Sequence, residues 1–232
     1  MADLSKLFAS LVAHVPDDLS SYFARIADGS FFDHDDVEVN LLPIPEAVRR
    51  TSDFRGFHPL VQTLGGVILD DPNTSNHHVY LSQPVFNGAV LFLDHDGDSR
   101  IVFRNLPEFL DAARRSIADE VELRTCHPKG GILIDDQVGL NRLIEDLYDE
   151  KIGGDGTAVF LPLIPSSNLI ADGLYERMAN DDDFYIAEAI GDTIAHRPRP
   201  TLESLAMVCR NHSHPQASRA GKRAMAAIKA LH

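Results

Sequence analysis

The chain has 232 residues, 44% hydrophobic and 24% charged, with 35 Asp and Glu against 21 Lys and Arg and a formal net charge of -14. That is a globular composition with room for one large or two small domains. No apolar run approaches the roughly 20 residues that cross a bilayer, and the acidity excludes a general nucleic-acid binder, which needs clustered cations against phosphate.

Two cysteines, Cys126 and Cys209, suit a reducing compartment. The N-terminal stretch lacks the basic flank, apolar run and small-residue cleavage site of a signal peptide, so the expectation is a cytoplasmic protein without a membrane partner. Charge is unevenly spread: residues 1–192 hold 34 acidic and 14 basic residues, whereas residues 193–232 hold Glu203 against seven Lys or Arg. An acidic body suits a basic protein partner. The basic end packs beside that body or faces solvent, an acidic partner being the functional alternative.

In chain order, Leu4, Leu7, Phe8, Leu11, Val12 and Val15 recur at helical spacing before Pro16, and Leu19, Tyr22, Phe23 and Ile26 form the face of a second helix that stops at Asp28 and Gly29. Residues 37–42 alternate as a strand does, and a short helical piece is predicted at 46–50 after Pro43 and Pro45. Strands are predicted at 67–69, 78–81, 88–93 and 100–103. Asp96, Gly97 and Asp98 form a turn between the last two, because Gly tolerates positive φ. Asn105 and Glu108 have the spacing of a capping box, with Pro107 in the first turn and Phe109, Leu110, Ala113 and Ile117 on one face of the helix that follows. That helix can dock on the hairpin.

Cys126 to Gly131 is turn chemistry, and a helix carrying Leu143, Ile144 and Leu147 starts at Leu140. Gly153, Gly154 and Gly156 read as a flexible connector, since they lack the Lys-Ser/Thr ending of a phosphate loop. The apolar run 158–164 fits a strand or a linker, and helices follow at about 168–178, 184–195, 202–210 and 215–231, with Thr201 and Ser213 as N-caps. The expected fold is therefore α+β, an antiparallel or mixed sheet with packed helices over residues 1–125. A connector at 126–139 and an all-α helical array over 140–232, vaguely HEAT-like in its stacking, complete it.

Asp94, His95 and Asp96 at a strand end, a second strand at 100–103, and the capped helix opening Asn105, Leu106, Pro107, Glu108, Phe109, Leu110 resemble the SUKH superfamily, the cell-wall-regulator-like fold. Pro16, Asp17, Asp18 and Leu19 to Phe23, with Asp28 and Gly29 behind, are similar to that family's Leu-Pro helix and the turn after it. The resemblance covers about residues 1–125. It implies an α+β fold and a non-catalytic protein-binding role, often toxin immunity or regulation in bacteria. On this reading the acidic turn of Asp94, His95, Asp96 and Asp98 is the binding candidate, and no catalytic residue, metal or cofactor is assigned.

The same residues permit sharper chemistry. An apolar strand running into Asp94, His95, Asp96 and Gly97 is the opening of a haloacid-dehalogenase-type phosphatase, with Asp94 as nucleophile, Asp96 as general acid and magnesium offsetting their charge. Against it, Asp98 stands where that motif expects Thr, and a second strand follows at once. A calcium loop fails because Gly97 comes too early, with Ser99 at the place of the required glycine, and Asn105 occupies the closing position of Glu. Cys209, His212 and His214 lack the spacing of a common zinc module, and Cys209 lies on an apolar face with Leu202, Leu205 and Ala206, as a buried thiol would. Adjacent Cys126 and His127 have no third group to orient them as a nucleophilic pair.

Overall fold

The computed structural model describes residues 15–150 and 156–231. The fold is α+β followed by a helical array, in two compact units, Met1–Pro128 and Lys129–His232. The first expected helix, but for Val15, and Gly153 and Gly154 of the expected connector lie outside the described residues.

In the first unit, α1 (Asp17–Ile26) buries Leu19, Tyr22, Phe23 and Ile26, the predicted face, and Gly29 takes φ +80° just beyond its end. Helices α2 (Ile44–Arg55) and α3 (Pro59–Leu64) precede a four-stranded antiparallel sheet in the order β1 (Val67–Ile68), β2 (His77–Tyr80), β3 (Val90–Leu93), β4 (Arg100–Phe103). Strands β2 and β3 are buried at every position, so both faces are covered. His77 meets Phe54 of α2 on one face, and His78 meets Phe109 of α4 (Leu106–Asp119) on the other. A register shift pairs Val90 with Phe103 but Leu91 with Ile101. Val102 is the extra residue, and the bulge brings Phe103 back to the face shared by His78, Phe92 and Arg100.

The cap of α4 is as expected on one side: the Asn105 Oδ1 accepts the Glu108 N–H at 2.9 Å. The Glu108 carboxylate reaches back one residue further than a standard capping box, taking the Arg104 N–H at 3.0 Å. Phe109 is fully buried on the sheet, 5.6 Å from Phe103.

Several local expectations are corrected. Residues 37–42 form no strand: a short 3₁₀ turn at Asp35–Val37 ends with Glu38 at φ +56°, and only isolated bridges follow, His34 to Val39 and Leu41 to Asp70. The alternation was a burial pattern, since Val37, Val39 and Leu41 do turn inward, without a ladder to match. The helix predicted at 46–50 is the longer α2, whose Thr51 hydroxyl is buried and accepts the Ile68 N–H of β1 at 2.9 Å, a polar anchor that apolar periodicity does not reveal.

In the second unit, α5 (Gln137–Glu150) begins ahead of Leu140 because the Asp136 carboxylate takes the Gly139 N–H at 2.8 Å. The run predicted as strand or linker is helical, α6 (Gly156–Phe160) and then a 3₁₀ stretch at Leu161–Ser166 where Pro162 and Pro165 deny a regular helix its N–H groups. Only α7 (Leu174–Ala179) forms within 168–178, since Leu169 and Gly173 take φ +58° and +69°. Helices α8 (Phe184–His196), α9 (Glu203–Asn211) and α10 (Pro215–Lys229) follow. Leu202 and His214, rather than Thr201 and Ser213, occupy the N-cap positions, and the His214 Nδ1 accepts the Gln216 N–H at 3.3 Å.

The last three helices meet at small residues. A Cβ on Gly191 of α8 would lie 2.9 Å from the Ala220 Cβ, and one on Gly221 would lie 2.1 Å from the Arg210 backbone nitrogen of α9. Gly221 therefore holds α10 against α9 at a separation no side chain allows. Gly221→Ala is expected to destabilise the second unit by about 2 kcal/mol or more through overpacking, although the same change in an exposed helix stabilises by about 1 kcal/mol. Urea unfolding followed by circular dichroism reads the sign. In the first unit, Asn105→Ala should cost about 1 kcal/mol in the same measurement.

Candidate functional site

The four residues expected to bind lie together in the β3–β4 turn. Asp94 is half-buried, and His95, Asp96 and Asp98 are exposed. The turn is tied to itself: the Asp94 carboxylate accepts the Asp98 N–H at 2.9 Å, and the Ser99 hydroxyl accepts the Asp94 N–H at 2.9 Å. The β1–β2 loop contributes Asn76, whose Oδ1 accepts the His95 N–H at 2.9 Å. Gly97 takes φ +99°, with nothing near where a Cβ would stand. Asp98 pairs with Arg100, which also donates to the Pro128 carbonyl at 3.4 Å.

This placement bears on the phosphatase reading. Such an enzyme needs its aspartates at the end of a parallel strand, facing a pocket, whereas Asp94 and Asp96 sit in a tight hairpin turn of an antiparallel sheet. The alternation of Asp94, Asp96 and Asp98 does not converge either, because two of the three have their backbone or carboxylate engaged within the turn. Among the described residues no group of three His, Cys, Asp or Glu side chains could hold a metal ion. Cys209 is fully buried, and burial pushes its thiol up to about 12, as expected of an inert core cysteine. The His212 ring meets the Asp181 carbonyl at 3.1 Å.

The structure also assembles a constellation that the sequence reading missed. Asp70, fully buried just past β1, accepts the His78 N–H at 2.6 Å on one carboxylate oxygen and faces the His78 Nδ1 at 2.5 Å with the other. Its own carbonyl lies 3.0 Å from the His77 Nδ1. The His78 Nε2 in turn meets the His127 Nε2 at 2.9 Å. Phe92, Phe103 and Phe109 stand around the His78 ring at 5.2, 6.1 and 4.8 Å between centroids. A contact that short between a ring nitrogen and a carboxylate oxygen holds one proton between them. Burial first, and then the charges of His78, Arg100 and Arg124, push the pKa of His127 down to about 2, so His127 is a neutral ring at ordinary pH. Burial, with the Asp70 charge adding to it, pushes the Tyr22 hydroxyl well above its usual range.

One signal of this chain was present in the sequence: two adjacent histidines leading an otherwise apolar strand, with an aspartate just after the strand before it. Histidine and aspartate at such positions are buried only when partnered. His127 was visible only as a neighbour of Cys126, and nothing in the spacing pairs it with a residue 49 positions earlier.

Comparison with protein-family models, curated proteins and solved structures gives no match. Among the described residues no helix is long and apolar enough to cross a membrane.

Removing Asp70 leaves the His78 N–H and Nδ1–H buried without acceptors. Asp70→Ala is expected to cost about 3–5 kcal/mol, read as a lowered urea midpoint. A loss below about 1 kcal/mol would mean that water replaces the carboxylate at little cost.

Proposed function

We propose that the first unit is a non-catalytic recognition module of SUKH type that binds a basic protein, in the setting of toxin neutralisation or regulation in bacteria. The observation that supports this most is the β3–β4 turn, where the Asp96 and Asp98 carboxylates are exposed on a backbone already fixed by Asp94, Ser99 and Asn76. A preorganised turn loses little conformational freedom when a partner arrives. The charge of the chain speeds encounter with a cationic surface, and the exposed carboxylates set the register. Residues 1–128 carry 20 acidic and 10 basic residues, so this attraction belongs to the unit that bears the turn.

The test is capture of a partner from the native host with the wild-type chain and with Asp96→Lys/Asp98→Lys. A cationic protein should be retained by the first, released as salt rises, and lost from the second by roughly tenfold or more, since like charges now face each other. The same preparations are assayed with magnesium and a generic phosphomonoester. Turnover that Asp94→Asn abolishes would overturn the binding reading, as would capture that ignores the charge reversal.

A further inference from the structure

Residues 120–128 close the first unit as a strap. Glu120, at φ +53°, turns the chain out of α4, and a 3₁₀ turn at Leu123–Cys126 follows. Two side chains seat the strap: Leu123, which is 1% exposed, and His127. The His127 ring stands edge-on to Phe92 at 4.7 Å and to Phe103 at 5.5 Å, and its Nε2 meets the His78 Nε2. His78 cannot turn away from that contact, because Asp70 holds both its Nδ1 and its backbone N–H. Two ring nitrogens 2.9 Å apart share one hydrogen. A second hydrogen between those nitrogens would set two N–H groups against each other beside Phe92 and Phe103.

We propose that His127 is a proton-operated latch: the strap is seated on the sheet while His127 is neutral, and acid releases it by protonating the His127 ring where its Nε2 faces that of His78. The charged groups around the ring oppose that proton from several sides. His78 faces it from β2 and Arg100 from β4, with Arg124 on the strap itself. The anions are Asp70, on the Nδ1 side of His78, and Glu38, whose carboxyl is raised first by burial and then by the charge of Glu122 on the strap. A released ring regains the ordinary basicity of histidine, near pH 6.5, while the seated ring takes up a proton only near 2. The seat is therefore at full strength above about pH 6.5 and weakens about tenfold per pH unit below it.

Hydrogen exchange of the full chain, measured by mass spectrometry at pH 7.5 and 4.5 and corrected for intrinsic rates, tests this. The strap amides to follow are those of Thr125 and His127, which donate to the Glu122 and Arg124 carbonyls. Their opening equilibrium is expected to rise roughly a hundredfold between the two pH values, while β2 and β3 amides keep their protection. His127→Gln, which keeps a donor and an acceptor but does not titrate, should flatten that dependence. Strap protection that changes as much in the variant as in the wild type would overturn the proposal. So would strap and sheet amides opening together, since that is acid unfolding of the whole unit. Should the variant not fold, the comparison of strap with sheet in the wild type decides alone.

Discussion

A carboxylate with no exposure to water must place its lone pairs on donors, and Asp70 does so almost entirely on one neighbour, His78. The cost of burying the charge is offset only while those donors stay in place. That requirement fixes the turn from β1 to β2, the ring orientation of His78, and through it the point where His127 can sit. The aromatic side chains around the pair do not choose this arrangement, since rings pack in many ways. They exclude water and so make the few polar contacts decisive. The bulge between β3 and β4 belongs to the same requirement, because without it Phe103 would face away from His78.

How much of this was legible from the amino-acid sequence differs by residue. The hairpin, its glycine turn and the Asn105 cap follow from local chemistry, in which donor and acceptor lie within a few positions, and the structure has each of them. Residues 37–42 show the opposite case: alternation told which side chains turn inward but not whether a second strand was available to pair with. The helical run at 158–164 was hidden because an apolar stretch with two prolines carries no period. The acidic turn was found because it is contiguous. The chain of Asp70, His78 and His127 was not, because its parts come from a strand end, a strand and a strap.

The second unit depends on a different economy of contacts. Its last helices approach through Gly191, Ala220 and Gly221, and its loops are gathered by Arg197, whose guanidinium takes the carbonyls of Gly131, Pro165 and Ser167. Tyr175, Ser167 and Asn141 form a buried hydroxyl and amide cluster beside those loops, with the Tyr175 oxygen 2.6 Å from both partners. Here small residues and backbone carbonyls hold the helices in register, whereas the first unit is fixed by the polar contacts of Asp70, His78 and His127 among large aromatic rings.

Arg100 carries one more consequence. Its side chain is 12% exposed, and it holds the Asp98 carboxylate with one end of a fork whose other end reaches the Pro128 carbonyl. A cationic side chain arriving at Asp98 from outside therefore enters a competition rather than an empty site. It must displace, or share the carboxylate with, a guanidinium that is already desolvated and in place. Weak or mobile cations lose such a contest, while a planar guanidinium able to grip both oxygens can win it. Asp98 is thereby guarded against casual positive charge, because its carboxylate already rests on a guanidinium that the protein itself supplies.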